Sequence, residues 1–121
     1  MKLITKKLNE KVFDNYYFIA VGESDDANKW LSRVCSGYQP NLDNDYACAI
    51  HNTVGNRATI IYFSTEAWKS KEYKQDTIAH EALHATIRSL MAHGVKFEED
   101  NHEVFCYTLG WLVREINKLP K

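Results

Sequence analysis

The sequence predicts an α+β fold: a small mixed β-sheet with an edge hairpin, packed on two helices from the C-terminal half. Three observations point there. Short apolar runs rich in aromatic and β-branched residues occupy the first half. Two of them flank a turn containing Gly55 and Asn56, as a hairpin requires. The second half carries two long stretches with helical spacing of apolar residues. No repeat, linker or low-complexity segment interrupts the 121 residues, so they read as one domain.

Residues 1–8 are a candidate strand. Residues 16–21 (YYFIAV), closed by Gly22, read as a buried strand. Residues 24–34 (SDDANKWLSRV) open with capping residues and place Ala27, Trp30, Leu31 and Val34 at helical spacing. A loop over 37–45 leads to the hairpin, with strands 46–51 and 57–63 joined by residues 52–56. Its second strand should be the inner one, because its chain continues into the core. That leaves 46–51 at the sheet edge. Ser64 and Thr65 can cap a short turn through Trp68. Asp76 and Thr77 offer an N-cap for a long helix reaching His93 and stopped by Gly94. The last helix runs from near Asp100 to Lys118, with Pro120 beyond it.

Charge and cysteine usage exclude several function classes. Fifteen basic and sixteen acidic residues, dispersed along the chain, give no reason to expect a nucleic-acid or anionic-membrane partner. Cys35, Cys48 and Cys106 are odd in number and far apart, against a disulfide framework. Their apolar neighbours predict core thiols. No apolar run approaches the roughly 18 residues of a membrane span. The N-terminus is too charged for a secretory signal. A cytoplasmic location is expected.

The stretch TIAHEALHAT carries the chemistry. At about 100° per residue, His84 falls about 40° from His80, and Glu81 about 100° from it. Two imidazoles one turn apart can grip one ion. Glu81 flanks them and can reach a water on that ion, which is why H-E-x-x-H has this spacing. Ile78, Ala79, Ala82, Leu83, Ala85 and Leu90 fill the arc from about 140° to 300°. The helix is thus expected to be apolar on most sides, with a polar window at His80, Glu81, His84 and Arg88. So short a motif also arises by chance, so a third ligand decides its weight.

His93 falls on the opposite side of the same helix, and His102 about 100° from Glu103 on the next. Glu103 is the better candidate: a reversal at 94–99 would return its helix antiparallel to the first. Gly110, two turns beyond Glu103, would let the helices approach closely. Asp100-x-x-Glu103 also has the form of a capping box, and that alternative stands beside the ligand.

HEALH followed by an interhelical glutamate resembles the zincin metallopeptidases in their gluzincin arrangement. The short chain is also similar to minimal phage- and prophage-encoded metallopeptidase-like proteins. The resemblance implies a Zn2+ site with His80, His84 and Glu103 as ligands and Glu81 as general base. It further implies a mixed sheet whose edge strand runs beside the cleft. The chain departs from that pattern at Tyr107, where gluzincins often carry an aspartate. A tyrosine there could hydrogen-bond an imidazole or an oxyanion.

The expected activity is zinc-dependent peptide hydrolysis, in which Glu81 takes a proton from a zinc-held water. Tyr107, Tyr73 and His51 are candidates for an oxyanion donor. Arg88 is expected to pair with Glu99 or Glu103. The peptide or protein substrate is expected to add to the edge strand Tyr46, Ala47, Cys48, Ala49, Ile50 and His51. The small Ala47 and Ala49 would allow a close approach. So short a chain leaves little for a deep pocket, so a partner protein is possible. Two rivals remain: a non-catalytic zincin-like binding protein with structural zinc, and a small-molecule metalloamidase with the same ligands.

Overall fold

The computed structural model describes residues 1–121 except 54 and 56. The described elements run β1 (Ile4–Glu10), β2 (Asn15–Gly22), α1 (Ser24–Val34), β3 (Ala47–Asn52), β4 (Ala58–Ser64), α2 (Thr65–Lys69), α3 (Lys74–Ala92) and α4 (His102–Asn117). The sheet order is β1-β2-β4-β3. The β1–β2 and β3–β4 pairs are antiparallel, and a parallel β2–β4 ladder joins them. The fold is α+β with a mixed sheet.

Composition explains the order. β2 and β4 are almost continuously apolar and buried on both faces, as central strands require. β1 exposes Thr5, Lys6 and Lys7, and the two lysine charges suit an unpaired edge. β3 takes the other edge and β4 lies inside.

Strand alternation builds two cores. Tyr17, Ile19, Val21, Ile61 and Phe63 face Trp68, Ile78, Ala82, Ala85, Leu112 and Ile116. Phe18, Ala20, Ile60 and Tyr62 face Ala27, Trp30 and Leu31 of α1. The C-terminal helices pack on the sheet as expected, and α1 adds a third layer on the opposite face. Tyr17 also ties β2 to α3 through a buried 2.8 Å hydrogen bond between its hydroxyl and Ser89 Oγ.

Helix ends differ from expectation in instructive ways. α3 starts at Lys74, ahead of the expected Asp76–Thr77 cap. Ser70 Oγ accepts the Tyr73 N–H at 3.0 Å and begins the turn, while the Thr77 hydroxyl donates to the Tyr73 carbonyl. At the other end Gly94, at φ 77°, lets Val95 N–H reach the Leu90 carbonyl at 3.1 Å, closing the helix. The N-cap of α4 is Asn101, without a side-chain cap, so the Asp100–Glu103 capping box is not formed. Gly55 takes φ 67°, and a Cβ there would collide with the Ser36 carbonyl. Its expected turn partner, Asn56, lies outside the described residues.

α4 buries the stripe Phe105, Thr108, Leu112 and Ile116. Cys106, Tyr107 and Gly110 lie on its exposed back. The expected core position of Cys106 is therefore corrected: its apolar neighbour Phe105 takes the buried side of the helix. Gly110 does not bring helices together either, since a Cβ there would meet nothing within 4 Å. Among the described residues, no helix is long and apolar enough to cross a membrane.

Candidate functional site

α3 buries Ile78, Glu81, Ala82, Ala85, Thr86, Ser89 and Leu90, a single stripe spaced by three and four residues. The opposite side, carrying Ala79, His80, Leu83 and His84, is exposed. The expected apolar frame is therefore narrower than the sequence suggested: Leu83 is 45% exposed. The sheet covers one side of α3, α4 and α2 lie against it as well, and the face with His80, Leu83 and His84 is left exposed.

The H-E-x-x-H side chains stand as the helical phase predicts. The His80 and His84 rings face each other edge to face at 4.8 Å between centroids. His80 Nε2 lies 4.0 Å from Oε2 of Glu81. The His80 side chain is 67% exposed, that of Glu81 only 10%. Burial raises the Glu81 carboxyl above the ordinary carboxylate range, and His80, His84 and Arg88 partly offset this.

The buried side of Glu81 is turned toward β3. Ala49 packs in one core with Ala82 and Ala85, and Ala47 lies against it. This corrects the expected use of those alanines: their small size lets α3 lie close, so no peptide fits on that face. The edge of β3 has no further strand beside it among the described residues. Cys48, on the other face of β3, is influenced by Glu81 and Asp45, and with burial first its thiol is pushed up to about 12.

A shallow cleft of about 440 Å³ opens where β3 begins and α3 starts, lined by Tyr46, Tyr73, Asp76, Thr77, His80 and Glu81. Asp76 and Thr77, read from sequence as a cap, instead lie in its wall. The signal was present: Asp76 precedes His80 by four residues, one turn on the same face. Tyr73 lines this cleft too, while Tyr107 does not.

Glu103 is not brought to the histidine pair. The Gln75 amide nitrogen donates to Asn117 Oδ1 at 2.9 Å, so α4 runs antiparallel to α3 as expected. Measured from that contact at about 1.5 Å per residue, Glu103 stands about 13 Å further along than His80. It also lies on the exposed back of α4, about 160° from Phe105. Tyr107, one turn on, is 63% exposed on the same side.

The remaining candidates are dispersed. Arg88 is exposed and forms no salt bridge with Glu99 or Glu103 among the described residues; its charge acts on Glu81 and His51. His102 lies 4.0 Å from Glu99. His51 holds Thr59 Oγ1 at 3.1 Å, at the far end of β3 from Tyr46. His93 is engaged with Asn15 at 2.6 Å.

In donor chemistry, two imidazoles on adjacent turns with a carboxylate beside them suit zinc. Among the described residues, no set of three His, Cys, Asp or Glu side chains is gathered for a metal. The chain offers a pair of donors rather than a closed cage. Compared with known proteins, it matches no family model, no curated protein and no solved structure.

Proposed function

We propose that the chain is a zinc-dependent hydrolase that cleaves peptide bonds in the cleft between α3 and the edge strand β3. One observation carries this reading: a buried carboxyl, Glu81, lines one cleft with the exposed His80 and with Tyr46, where the edge strand β3 begins. His80 and His84 would hold the ion, with the other positions left to water and substrate. When bound, zinc would supply a Lewis acid to polarise the scissile carbonyl.

The chain's own residues supply the rest. Glu81, with its proton affinity raised by burial, is suited to accept a proton from an attacking water and return it to the leaving amine. An extended segment can pair with the β3 edge through its main chain. Tyr46 and Tyr73, both partly exposed, flank its path and offer phenol donors. A shallow cleft favours an extended peptide over a small amide. The cytoplasm remains the proposed setting.

The test is a peptide-library cleavage assay with added zinc. Wild-type protein should cleave, and Glu81→Gln should lose on the order of a hundredfold or more in rate. Equal rates would reject the role of Glu81. A second reading, a non-catalytic binding module, is favoured by the gathering of only two donors. It is selected if zinc-loaded protein binds extended peptides at the β3 edge without cleaving them.

A further inference from the structure

A second cavity, of about 750 Å³, lies away from this cleft. It sits at the end of the sheet where β2 and β4 begin and β3 finishes. Its wall includes Asn15, His51, Arg57 and His93, with Phe13 and Phe18.

Asn15 is only 6% exposed. Its Oδ1 accepts from Nε2 of His93 at 2.6 Å, and its Nδ2 has no hydrogen-bond partner. The nearby Tyr17 phenol oxygen is the group this amide faces within the core, close enough for the amide to lower its pKa but beyond hydrogen-bond distance. Buried amide donors are rarely left unpaired. An acceptor within the cavity would complete it.

The charges around Asn15 are unbalanced. The strand register sets Tyr16 opposite Ala58, so Arg57 stands level with Asn15. Neither Arg57 nor Lys7 forms a salt bridge among the described residues. The one carboxylate in the wall, Asp14, accepts from Asn9 at 2.9 Å. Nearby Glu10 is occupied by the Val12 and Phe13 backbone N–H groups. A planar guanidinium and an amide N–H suit a carboxylate. The volume exceeds what a lone anion fills and matches a small molecule with an apolar body. Phe13, 5.9 Å from the His93 ring, offers a wall for that body.

We propose that this cavity binds a small carboxylic acid, its carboxylate on Arg57 and Asn15 Nδ2 and its apolar body against Phe13. The site is independent of the His80–Glu81 cleft and needs neither zinc nor hydrolysis.

The test is an NMR titration of the His51 and His93 ring signals with 3-phenylpropionate, its neutral amide and inorganic phosphate. The acid should shift both rings and bind about tenfold or more tightly than either control. Arg57→Gln, at an exposed position, should weaken it by about tenfold, and Asn15→Asp should abolish it by charge repulsion. Equal binding of acid and amide would overturn the proposal. So would phosphate binding as tightly as the acid, no shift up to about 10 mM acid, or unchanged binding in Arg57→Gln.

Discussion

Glu81 Oε2 and His80 Nε2 are 4.0 Å apart, yet the carboxylate is buried and the imidazole is in solvent. A carboxyl whose proton affinity is raised on folding binds more protons in the folded than in the unfolded state. Its stability penalty is absent below the ordinary carboxylate range and grows as pH rises through the shifted value. Without metal, Glu81→Gln should therefore be more stable than wild type at pH 7, with a higher Tm. The gap should close as pH falls toward about 4. Thermal melts of both proteins across pH check this; a Glu81→Gln protein less stable than wild type at pH 7 would contradict it.

Zinc binding should depend on the pair and not on α4. His80→Ala and His84→Ala should each weaken zinc binding by about tenfold or more, as loss of one of two imidazoles demands. Glu103→Ala should leave the affinity unchanged, because that carboxylate stands on the outer back of α4. Calorimetric titration with zinc reads all three. A tenfold loss in Glu103→Ala would mean that α4 rearranges around the ion.

The three thiols should react in a fixed order. Cys106 is exposed, Cys35 is buried, and Cys48 is pushed up to about 12. Iodoacetamide at pH 8 should label Cys106 first, with Cys48 slower by roughly a hundredfold or more because so little thiolate is present. Mass spectrometry of timed samples gives the order. Labelling of Cys48 ahead of Cys106 would refute the burial assigned to β3.

The Tyr17–Ser89 hydrogen bond links sheet to helix through the core. Tyr17→Phe and Ser89→Ala should each cost about 1 kcal/mol. The double mutant should cost less than the sum, with a coupling of about 0.5 kcal/mol or more. Urea denaturation of the four proteins measures it. Strict additivity would show that the contact carries no energy.

The central strands were legible because YYFIAV and ATIIYF are apolar or aromatic at every position except Thr59, as strands buried on both faces require. The edge position of β3 followed from chain continuity. The phase of His80, Glu81 and His84 followed from helical geometry alone. The rest failed where the signal was local and the cause was not. Glu103 has good helical company, but which side of α4 faces inward is set largely by Leu112 and Ile116 against core partners such as Ile78, Ala82 and Ala85, more than 20 residues away in sequence. Ala47 and Ala49 read as room for a substrate, and α3 had taken that room. The cavity around Asn15 was invisible because its walls come from six separate stretches of chain.

The parallel β2–β4 ladder has a kinetic consequence. Tyr16 meets Ala58 across 42 residues, with α1 and β3 in between. The β3–β4 hairpin and the α3–α4 pair close far shorter loops. Closing the long loop costs chain entropy before any central contact repays it. The C-terminal half, β3 through α4, should therefore assemble first and present β4 as a template. β2 would dock late, bringing β1 with it. Substitutions in the β2–β4 ladder such as Ile19→Val should mainly speed unfolding, whereas Ile61→Val, on the template side, should slow folding.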